Sequence, residues 1–453
     1  MTTILADSAP STETILADDA AHVFHSWSSQ RDLHPLPIAG GSGAWFWDPE
    51  GNRYLDFSSQ LVFTNLGYQH PALVAAIQEQ AERLCTVAPG FANDRRGELA
   101  RLIAERAPSD LNHVFFTNGG TDANEHAIRM ARLHTGRHKV LSAYRSYHGA
   151  TAASIAATGE PRRWGSEPGI SGVVHYVGPY LYRSAFGAKT ETEETSACLD
   201  HLRQVIEFEG PEAVAAVLLE TVVGTNGVLV PPEGYLPGVR RICDEFGIML
   251  ICDEVMVGFG RLGEWFAVNA FQVIPDLITF AKGVNSGYVP LGGVIISSRI
   301  RESFLDRAYP GGLTYSGHPL ACAAAVASIR VFEETHLLEQ VRRLGAEVVG
   351  PGLKRLKDRH PSVGEVRGRG LMWALELVRD RETREMLVPY NASGEANRPM
   401  VELNQACHEQ GLWPISHFNG LHVAPPLVIA EEELQEGISR LDRALEVADR
   451  YCR

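Results

Sequence analysis

The sequence lacks the cysteine patterns of a disulfide framework or a zinc site. Its seven cysteines are scattered over 453 residues, odd in number and never spaced as CxxC. Small secreted domains and zinc knuckles use paired, regularly spaced cysteines. We therefore predict reduced thiols, no metal ion and a cytoplasmic location.

Long apolar runs and clusters of positive charge are missing as well. No apolar stretch approaches the roughly 20 residues that span a bilayer, and the N-terminal segment has neither the basic region nor the continuous apolar core of a secretion signal. The formal net charge is −14, without any block of Lys or Arg. We expect no membrane and no nucleic acid among the partners, because binding to either needs a strongly apolar or cationic surface.

The chain has an ordinary globular composition, with 45% hydrophobic and 21% charged residues, and enough length for two or three domains. Residues 1–60 contain "GAWFWDPEGNRYLDF", which is typical of a hairpin, and we predict an N-terminal arm that packs with the C-terminal domain. Residues 61–325 alternate short apolar runs with helical patterns, which predicts an α/β domain with a mostly parallel sheet. Residues 326–453 are predicted to form a smaller α+β domain.

Polar residues that end apolar runs are candidates for chemistry, because ligands bind at the carboxyl ends of parallel strands. The run "HVFF" is followed by the turn 117–121, "TNGGT", and then by a helical pattern. Free amides at such a helix start hold phosphate. The turn is neither GxGxxG nor a GK[ST] loop, so an ordinary capped turn explains it equally well.

Three other strand ends carry reactive groups. "GIMLICDEV" brings Asp253 and Glu254 to the end of a central strand, where a carboxylate forms either a structural ion pair or a contact with a cationic ligand. "DLITFAK" ends in Lys282, and burial lowers the pKa of an amine and makes it a better nucleophile, although a pair with Asp253 is the structural alternative. "YRSYHG" places Tyr147 and His148 before a glycine.

A phosphate-binding turn, an aromatic side chain, an acidic strand end and a buried lysine, in this order on a doubly wound sheet, fit pyridoxal 5'-phosphate. In such enzymes a lysine bonds covalently to the cofactor, an acid pairs with its pyridine nitrogen, and backbone amides hold its phosphate. We therefore predict pyridoxal 5'-phosphate as the cofactor.

The motifs resemble those of the class III, or ω-amino-acid, aminotransferases among the fold-type I pyridoxal-phosphate enzymes. The segments that carry the resemblance are "FFTNGGTDANEHAIRMAR", "YHGAT", "LLETVVGTNG", "LICDEVMVGFGR", "ITFAKG" and "TYSGHP". The resemblance implies a large domain with a mostly parallel seven-stranded sheet and a smaller C-terminal domain. It also implies a homodimer, or a tetramer formed by two dimers, with active sites at the subunit interface.

The functional residues of this family match positions of the sequence. The resemblance implies that Lys282 is the catalytic lysine, which also moves protons during the reaction, and that Asp253 is the partner of the pyridine nitrogen. It implies that Thr314 contacts the phosphate of the neighbouring subunit. The other cofactor-binding positions that it implies are Gly119, Gly120, Thr121, Tyr147, His148, Glu220 and Val255.

Within the class, "FSSQLVFTNLGYQHP", "GEPRRWGSEP", "GPYLYRSAFG" and "GLWPISHFN" are most similar to taurine:pyruvate aminotransferases and their relatives. That group typically has Asn at the position of Phe63 and Arg at the position of Gly420. The segment 411–426 of this chain contains no Arg at all.

The missing arginine bears on the substrate, because a bidentate guanidinium is the usual receptor for a carboxylate or sulfonate. Its absence favours a less anionic amino donor, unless Arg145, Arg162 or Arg163 takes the role. The predicted substrate contacts are Leu61, Phe63, Arg163, Trp164 and His417.

The predicted reaction is a ping-pong transamination from an ω-amino acid or primary amine to an oxo acid such as pyruvate. One alternative is a decarboxylating enzyme of the same family, similar to dialkylglycine decarboxylase. Another is a catalytically silent scaffold that binds the cofactor without using it.

Overall fold

A computed structural model describes residues 11–31 and 33–453, so the first ten residues of the predicted arm lie outside the described residues. The helices are α1 (Thr12–His22), α2 (Ser59–Val62), α3 (Pro71–Arg83), α4 (Asp94–Ala104), α5 (Gly120–Thr135), α6 (Ala152–Ala157), α7 (Glu191–Glu209), α8 (Tyr235–Phe246), α9 (Ala267–Ala270), α10 (Ser298–Glu302), α11 (Pro319–Glu334), α12 (Leu337–Leu344), α13 (Gly350–Arg359), α14 (Arg398–Glu409) and α15 (Glu431–Asp449). The strands are β1 (Gly40–Ser42), β2 (Trp45–Trp47), β3 (Arg53–Asp56), β4 (Leu111–Thr117), β5 (Lys139–Ala143), β6 (Val173–Tyr176), β7 (Val214–Glu220), β8 (Met249–Asp253), β9 (Leu277–Phe280), β10 (Gly292–Ser297), β11 (Val363–Arg369), β12 (Met372–Asp380), β13 (Glu385–Met386), β14 (Leu412–Trp413), β15 (Ile415–His417) and β16 (Gly420–Val423).

A seven-stranded sheet in the order β4-β10-β9-β8-β7-β5-β6 lies at the centre of the structure. The neighbours from β9 to β6 are all parallel, whereas β10 runs antiparallel to both β4 and β9. The predicted α/β fold with a mostly parallel seven-stranded sheet is therefore confirmed.

The central strands form because their sequences are short apolar runs that are buried on both faces. Every residue of β8 is buried, and β7 is buried up to its last residue, Glu220. The helix between them, α8, turns Leu236, Val239 and Ile242 towards the sheet and ends at Gly247, whose φ of 61° lies in the left-handed region that favours glycine. Polar side chains thus appear where the strands end, at one edge of the sheet.

Two smaller sheets involve the ends of the chain. β11, β12, β16 and β15 form an antiparallel sheet, with β13 paired to β12. In the N-terminal segment β2 and β3 pair antiparallel, with Trp45 opposite Leu55. Because β14 pairs in parallel with β3 at Leu412 and Leu55, the N-terminal hairpin and a C-terminal segment share one sheet.

The hydrophobic cores are divided in the same way as the sheets. One core lies on the large sheet, and a second combines Leu55 and Phe57 of the N-terminal segment with Leu375 and Leu441 of the C-terminal segment. The domain boundaries at residues 60 and 325 stay predictions. Within the described residues, no helix is both long and apolar enough to cross a bilayer.

Two helical glycines provide a matched test of this packing. A Cβ on Gly437 in α15 would lie 2.1 Å from Cζ of Phe57, whereas a Cβ on Gly97 in α4 would meet nothing within 4 Å. We expect Gly437→Ala to destabilise the protein by about 1–3 kcal/mol because it overpacks the core. Gly97→Ala should stabilise it by about 0.5–1 kcal/mol because alanine favours the helix.

The measurement is the midpoint Tm of thermal unfolding of both variants at equal protein concentration. Equal shifts of the two variants in the same direction would contradict the close packing of α15 on Phe57.

Candidate active site

The carboxyl ends of the parallel strands surround a cavity of about 330 Å³. The cavity is lined by the segments that follow different strands of the sheet, as expected for ligand sites in doubly wound sheets. The predicted site residues that line this cavity are Phe63, Gly119, Gly120, Thr121, Tyr147, His148, Glu220, Asp253, Val255 and Lys282.

Asp253 ends β8 with its carboxylate almost completely buried, at 4% exposure. Three donors offset the cost of burying this charge. Oδ2 accepts from Nδ1 of His148 at 2.7 Å and from Nδ2 of Asn124 at 2.8 Å, and Oδ1 accepts from the backbone N of Val255 at 2.9 Å. A carboxylate accepts about four hydrogen bonds in total, so Oδ1 keeps one position for a further donor.

Asn124 is a functional residue that sequence reasoning missed. Besides its bond to Asp253, its Nδ2 donates to the backbone O of His148 at 2.7 Å, and its Oδ1 accepts from the hydroxyl of Thr279 at 2.8 Å. The side chain therefore ties α5 to β8, to β9 and to the loop after β5. The available signal in the sequence was a polar residue among the apolar ones near the start of the helix that follows the "GGT" turn.

Glu254 is also buried, but it serves a different purpose from Asp253. Its carboxylate accepts from the backbone N of Ala267 at 2.7 Å, the backbone N of Val268 at 2.8 Å and the hydroxyl of Thr221 at 2.8 Å. Burial raises the pKa of Glu254 to about 7, even though these hydrogen bonds lower it. Of the two neighbouring acids, one thus points to the cavity and the other fixes the following loop.

Lys282 follows β9 and lines the same cavity. Its φ of 45° is unusual for a residue with a side chain, and such positions often mark functional sites. Among the described residues, its amine has no hydrogen-bond or ion-pair partner. Burial lowers the pKa of Lys282 to about 8, with help from Arg162 and against the opposing charges of Asp253 and Glu220. About a tenth of the amine is therefore uncharged and nucleophilic at pH 7, far more than for an ordinary lysine.

Glu220 ends β7 next to Asp253. Its two carboxylate oxygens accept from the backbone N of Tyr147 at 2.9 Å and of Gly224 at 2.8 Å. Burial raises the pKa of Glu220 to about 7, and the charge of Asp253 adds to this effect, while His148 and the two backbone donors oppose it. The group can hold or release a proton near neutral pH.

The start of α5 forms the end of the cavity that suits an anion. Gly119, Gly120 and Thr121 lie where the first amides of a helix have no helical partner and attract negative charge. A Cβ on Gly120 would lie 2.7 Å from Cγ1 of Val255, so only glycine lets the turn approach β8 this closely.

Tyr147 is half-buried beside Lys282, and an arginine covers one side of its ring. The guanidinium carbon of Arg162 is 3.7 Å from the ring centroid. Nε of Arg162 donates to Oε1 of Glu160 at 2.5 Å, while its Nη2 is buried without a hydrogen-bond partner among the described residues.

The remaining predicted residues lie outside the cavity of the single chain. Leu61 and Trp164 are about half exposed, and Thr314 is exposed as well. Arg163 forms an ion pair with Glu167. His417, also partly exposed, lies near Glu160 rather than in the cavity wall. The roles of these five predicted residues stay predictions.

Comparison with known proteins identifies the family. The sequence profile of the family described as "Aminotransferase class-III" matches residues 27–445. The chain belongs to the class-III aminotransferases. The resemblance inferred from the sequence motifs is confirmed, and so is an enzyme that transfers amino groups.

Three relatives of this aminotransferase cover nearly its whole length. The taurine:2-oxoglutarate aminotransferase from Bifidobacterium kashiwanohense, solved in complex with PLP and glutamate, is 41% identical, with a TM-score of 0.94 over 98% of this chain and 99% of that chain. The putrescine–pyruvate aminotransferase of Pseudomonas aeruginosa is 35% identical over 90% of both chains. The taurine–pyruvate aminotransferase of Bilophila wadsworthia is 32% identical over 95% of this chain and 96% of its own length.

Class-III aminotransferases use pyridoxal 5'-phosphate, and the cavity of this enzyme fits that cofactor. Asp253 keeps an acceptor position for a protonated ring nitrogen, the glycine turn leaves room and amides for a phosphate, and Lys282 has a free amine. When bound, the cofactor withdraws electrons from the bonds to the substrate Cα.

Asn124→Ala tests the role of the amide at Asp253. Removing a hydrogen bond to a charged group costs about 1.5–3 kcal/mol, so we expect the dissociation constant of pyridoxal phosphate to rise by roughly tenfold to a hundredfold. The measurement is an absorbance titration of the cofactor-free enzyme. Asn112→Ala, at an exposed position of β4, is the control. Equal affinity of the two variants would show that Asn124 does not hold the cofactor partner in place.

The lowered pKa of Lys282 predicts how fast the cofactor-free enzyme captures pyridoxal phosphate. Below about pH 8 the amine is protonated and cannot attack a carbonyl, whereas above this pH it is neutral. The rate of covalent capture, followed by absorbance from pH 6.5 to 10, should rise through about pH 8 and then level off. A rate that keeps rising up to about pH 10.4, the value of an ordinary lysine, would contradict this assignment.

Proposed function

We propose that this aminotransferase takes the amino group from a donor that carries an acid group, either a sulfonate or a carboxylate, at the far end from the amine. We further propose that it passes the group to an oxo acid such as pyruvate. The taurine-dependent relatives support this donor class by analogy. The observation that carries it is the free end of the Arg162 guanidinium beside Tyr147 and Lys282.

Arg162 is our candidate for the acid receptor that the segment 411–426 does not provide. Its bond to Glu160 uses Nε, which leaves the two terminal nitrogens for a bidentate contact. Its charge contributes to the lowered pKa of Lys282, which supports a position close to the amine. The two other candidates are less suited: Arg163 is paired with Glu167, and Arg145 lies between the rings of two tyrosines.

We assign the remaining roles from the contacts in the cavity. Lys282 bonds to the cofactor and moves the proton at the substrate Cα. Asp253, held by Asn124 and His148, keeps the ring nitrogen protonated. Glu220, which can hold or release a proton near neutral pH, is assigned to proton exchange with the bound cofactor. The residues assigned to the phosphate are Gly119, Gly120 and Thr121, and those assigned to the two faces of the ring are Tyr147 and Val255.

We also propose a homodimer in which Thr314 of one subunit contacts the phosphate in the other. Two features support this arrangement: Thr314 is exposed in the single chain, and large apolar side chains, among them Trp27, Leu61, Phe91 and Tyr315, are about half exposed or more.

The test is a half-reaction of the yellow holoenzyme with single donors and no oxo acid. Taurine should bleach the absorbance of the Lys282-bound cofactor, and pyruvate should restore it. Propylamine and putrescine, which carry no acid group, should react only at much higher concentrations. Faster bleaching by putrescine than by taurine would overturn the proposed donor class, and release of carbon dioxide from an amino acid would favour the decarboxylating alternative.

Arg162→Met tests the receptor itself. We expect the half-saturating concentration of taurine to rise by roughly tenfold to a hundredfold, because a charged hydrogen bond is lost, while the reaction with propylamine stays the same. Arg203→Met is a matched control, since Arg203 also pairs with a glutamate and lies over an aromatic ring, but on α7. If Arg163→Met, and not Arg162→Met, raises the half-saturating concentration of taurine, the acid receptor is Arg163.

A further inference from the structure

Glu160 is a carboxylate with 2% exposure, located just before the helical turn Pro161–Ser166. Its Oε1 accepts from Nε of Arg162 at 2.5 Å. Its Oε2 lies 3.6 Å from Nε2 of His417, on β15. Glu160 therefore connects Arg162, in the helical turn, with His417, in the segment 411–426.

The carboxylate of Glu160 is ionised at neutral pH. Burial raises its pKa, but contacts with His417 and Arg162 outweigh this effect, so the pKa is lowered overall. A buried anion with one hydrogen bond and one longer contact holds its neighbours in place by charge as well as by geometry.

The cluster is not satisfied internally. Oε2 of Glu160, Nη2 of Arg162 and Nε2 of His417 are all buried without a hydrogen-bond partner in the described part of the chain. A buried polar atom that no group binds is destabilising. Oε2 of Glu160 and Nε2 of His417 face each other at 3.6 Å. Nη2 of Arg162 and the other ring nitrogen of His417, Nδ1, are therefore what this cluster leaves for the oxygens of a ligand.

We propose that Glu160 is the positioning residue for acid-group recognition, because it holds Arg162 through Nε and His417 through Nε2, so that the terminal nitrogens of Arg162 and Nδ1 of His417 are left for one sulfonate or carboxylate. This inference rests on the proposed function and extends it. Two donors from separate elements replace a single arginine in the segment 411–426. Glu160 itself does not touch the substrate.

The same receptor serves both half-reactions. A ping-pong enzyme binds donor and acceptor in one place, so an acid group on either substrate meets the same two donors. Loosening Arg162 therefore weakens the binding of the acid-bearing donor and of the oxo acid together.

The experiment compares Glu160→Gln with the unchanged holoenzyme. The variant keeps an acceptor for Nε but removes the charge. We expect the half-saturating concentrations of taurine and pyruvate to rise by about tenfold or more, because the acid-binding groups are no longer held in position. The maximal rates should stay within about threefold. The reaction with propylamine should stay the same. Glu245→Gln, which removes the partner of Arg203 on the surface, is the control.

Binding without reaction provides a second measurement. The dissociation constant of isethionate, a sulfonate without an amine, should rise in Glu160→Gln and, to a smaller extent, in His417→Gln. If Glu160→Gln does not fold, His417→Gln gives the same comparison, and an unchanged constant would overturn the shared site.

The outcomes separate the two proposals. If Arg162→Met weakens taurine but Glu160→Gln does not, the positioning role is wrong while the acid donor stands. If neither variant distinguishes taurine from propylamine, the acid receptor is wrong and the inference falls with it. Equal losses of maximal rate with all donors would assign Glu160 a general structural role and overturn the proposal.

Discussion

The buried carboxylate of Asp253 is the constraint on which the active site depends. An ion at the end of a fully buried strand must collect donors from neighbouring elements, because burial removes most of its contact with water. Asn124 of α5, His148 of the loop after β5 and the backbone of Val255 meet there. Their convergence brings the start of α5, with its free amides, and Tyr147, with its ring, to the cavity that Lys282 also lines.

Buried charged groups with several hydrogen-bond partners maintain the fold, and those with few partners lie at the proposed site of chemistry. Glu254 accepts three hydrogen bonds and fixes the loop before α9, and the fully buried Arg261 donates to the backbone of Leu371 and Pro425 and to the side chain of Asn65. Across residues 11–31 and 33–453, the amine of Lys282 and Nη2 of Arg162 have no hydrogen-bond partner. A free amine and a free guanidinium beside one cavity suit a substrate that is both an amine and an acid.

The proposed acid receptor would show how specificity changes on a constant scaffold. The assigned cofactor contacts come from strand ends that the sheet fixes. In our proposal the substrate end comes from a short helical turn and from β15, where the loss of an arginine in one element is compensated in another. Glu160 has the position to couple the two elements, because its two oxygens face different side chains.

Local patterns in the sequence determined the alternation of buried strands and helices. They also determined the glycine turn and the positions of the lysine and the acid at strand ends. These features could be predicted because burial and turn geometry depend on neighbouring residues. The motif order added the family. Only the tertiary structure decided which of Asp253 and Glu254 faces the cavity, that Asn124 holds it, that β14 joins the N-terminal hairpin, and that Glu160 lies between Arg162 and His417. Such choices depend on partners more than a hundred residues apart, and a side chain's hydrogen bonds follow from the packing of whole elements rather than from its own segment.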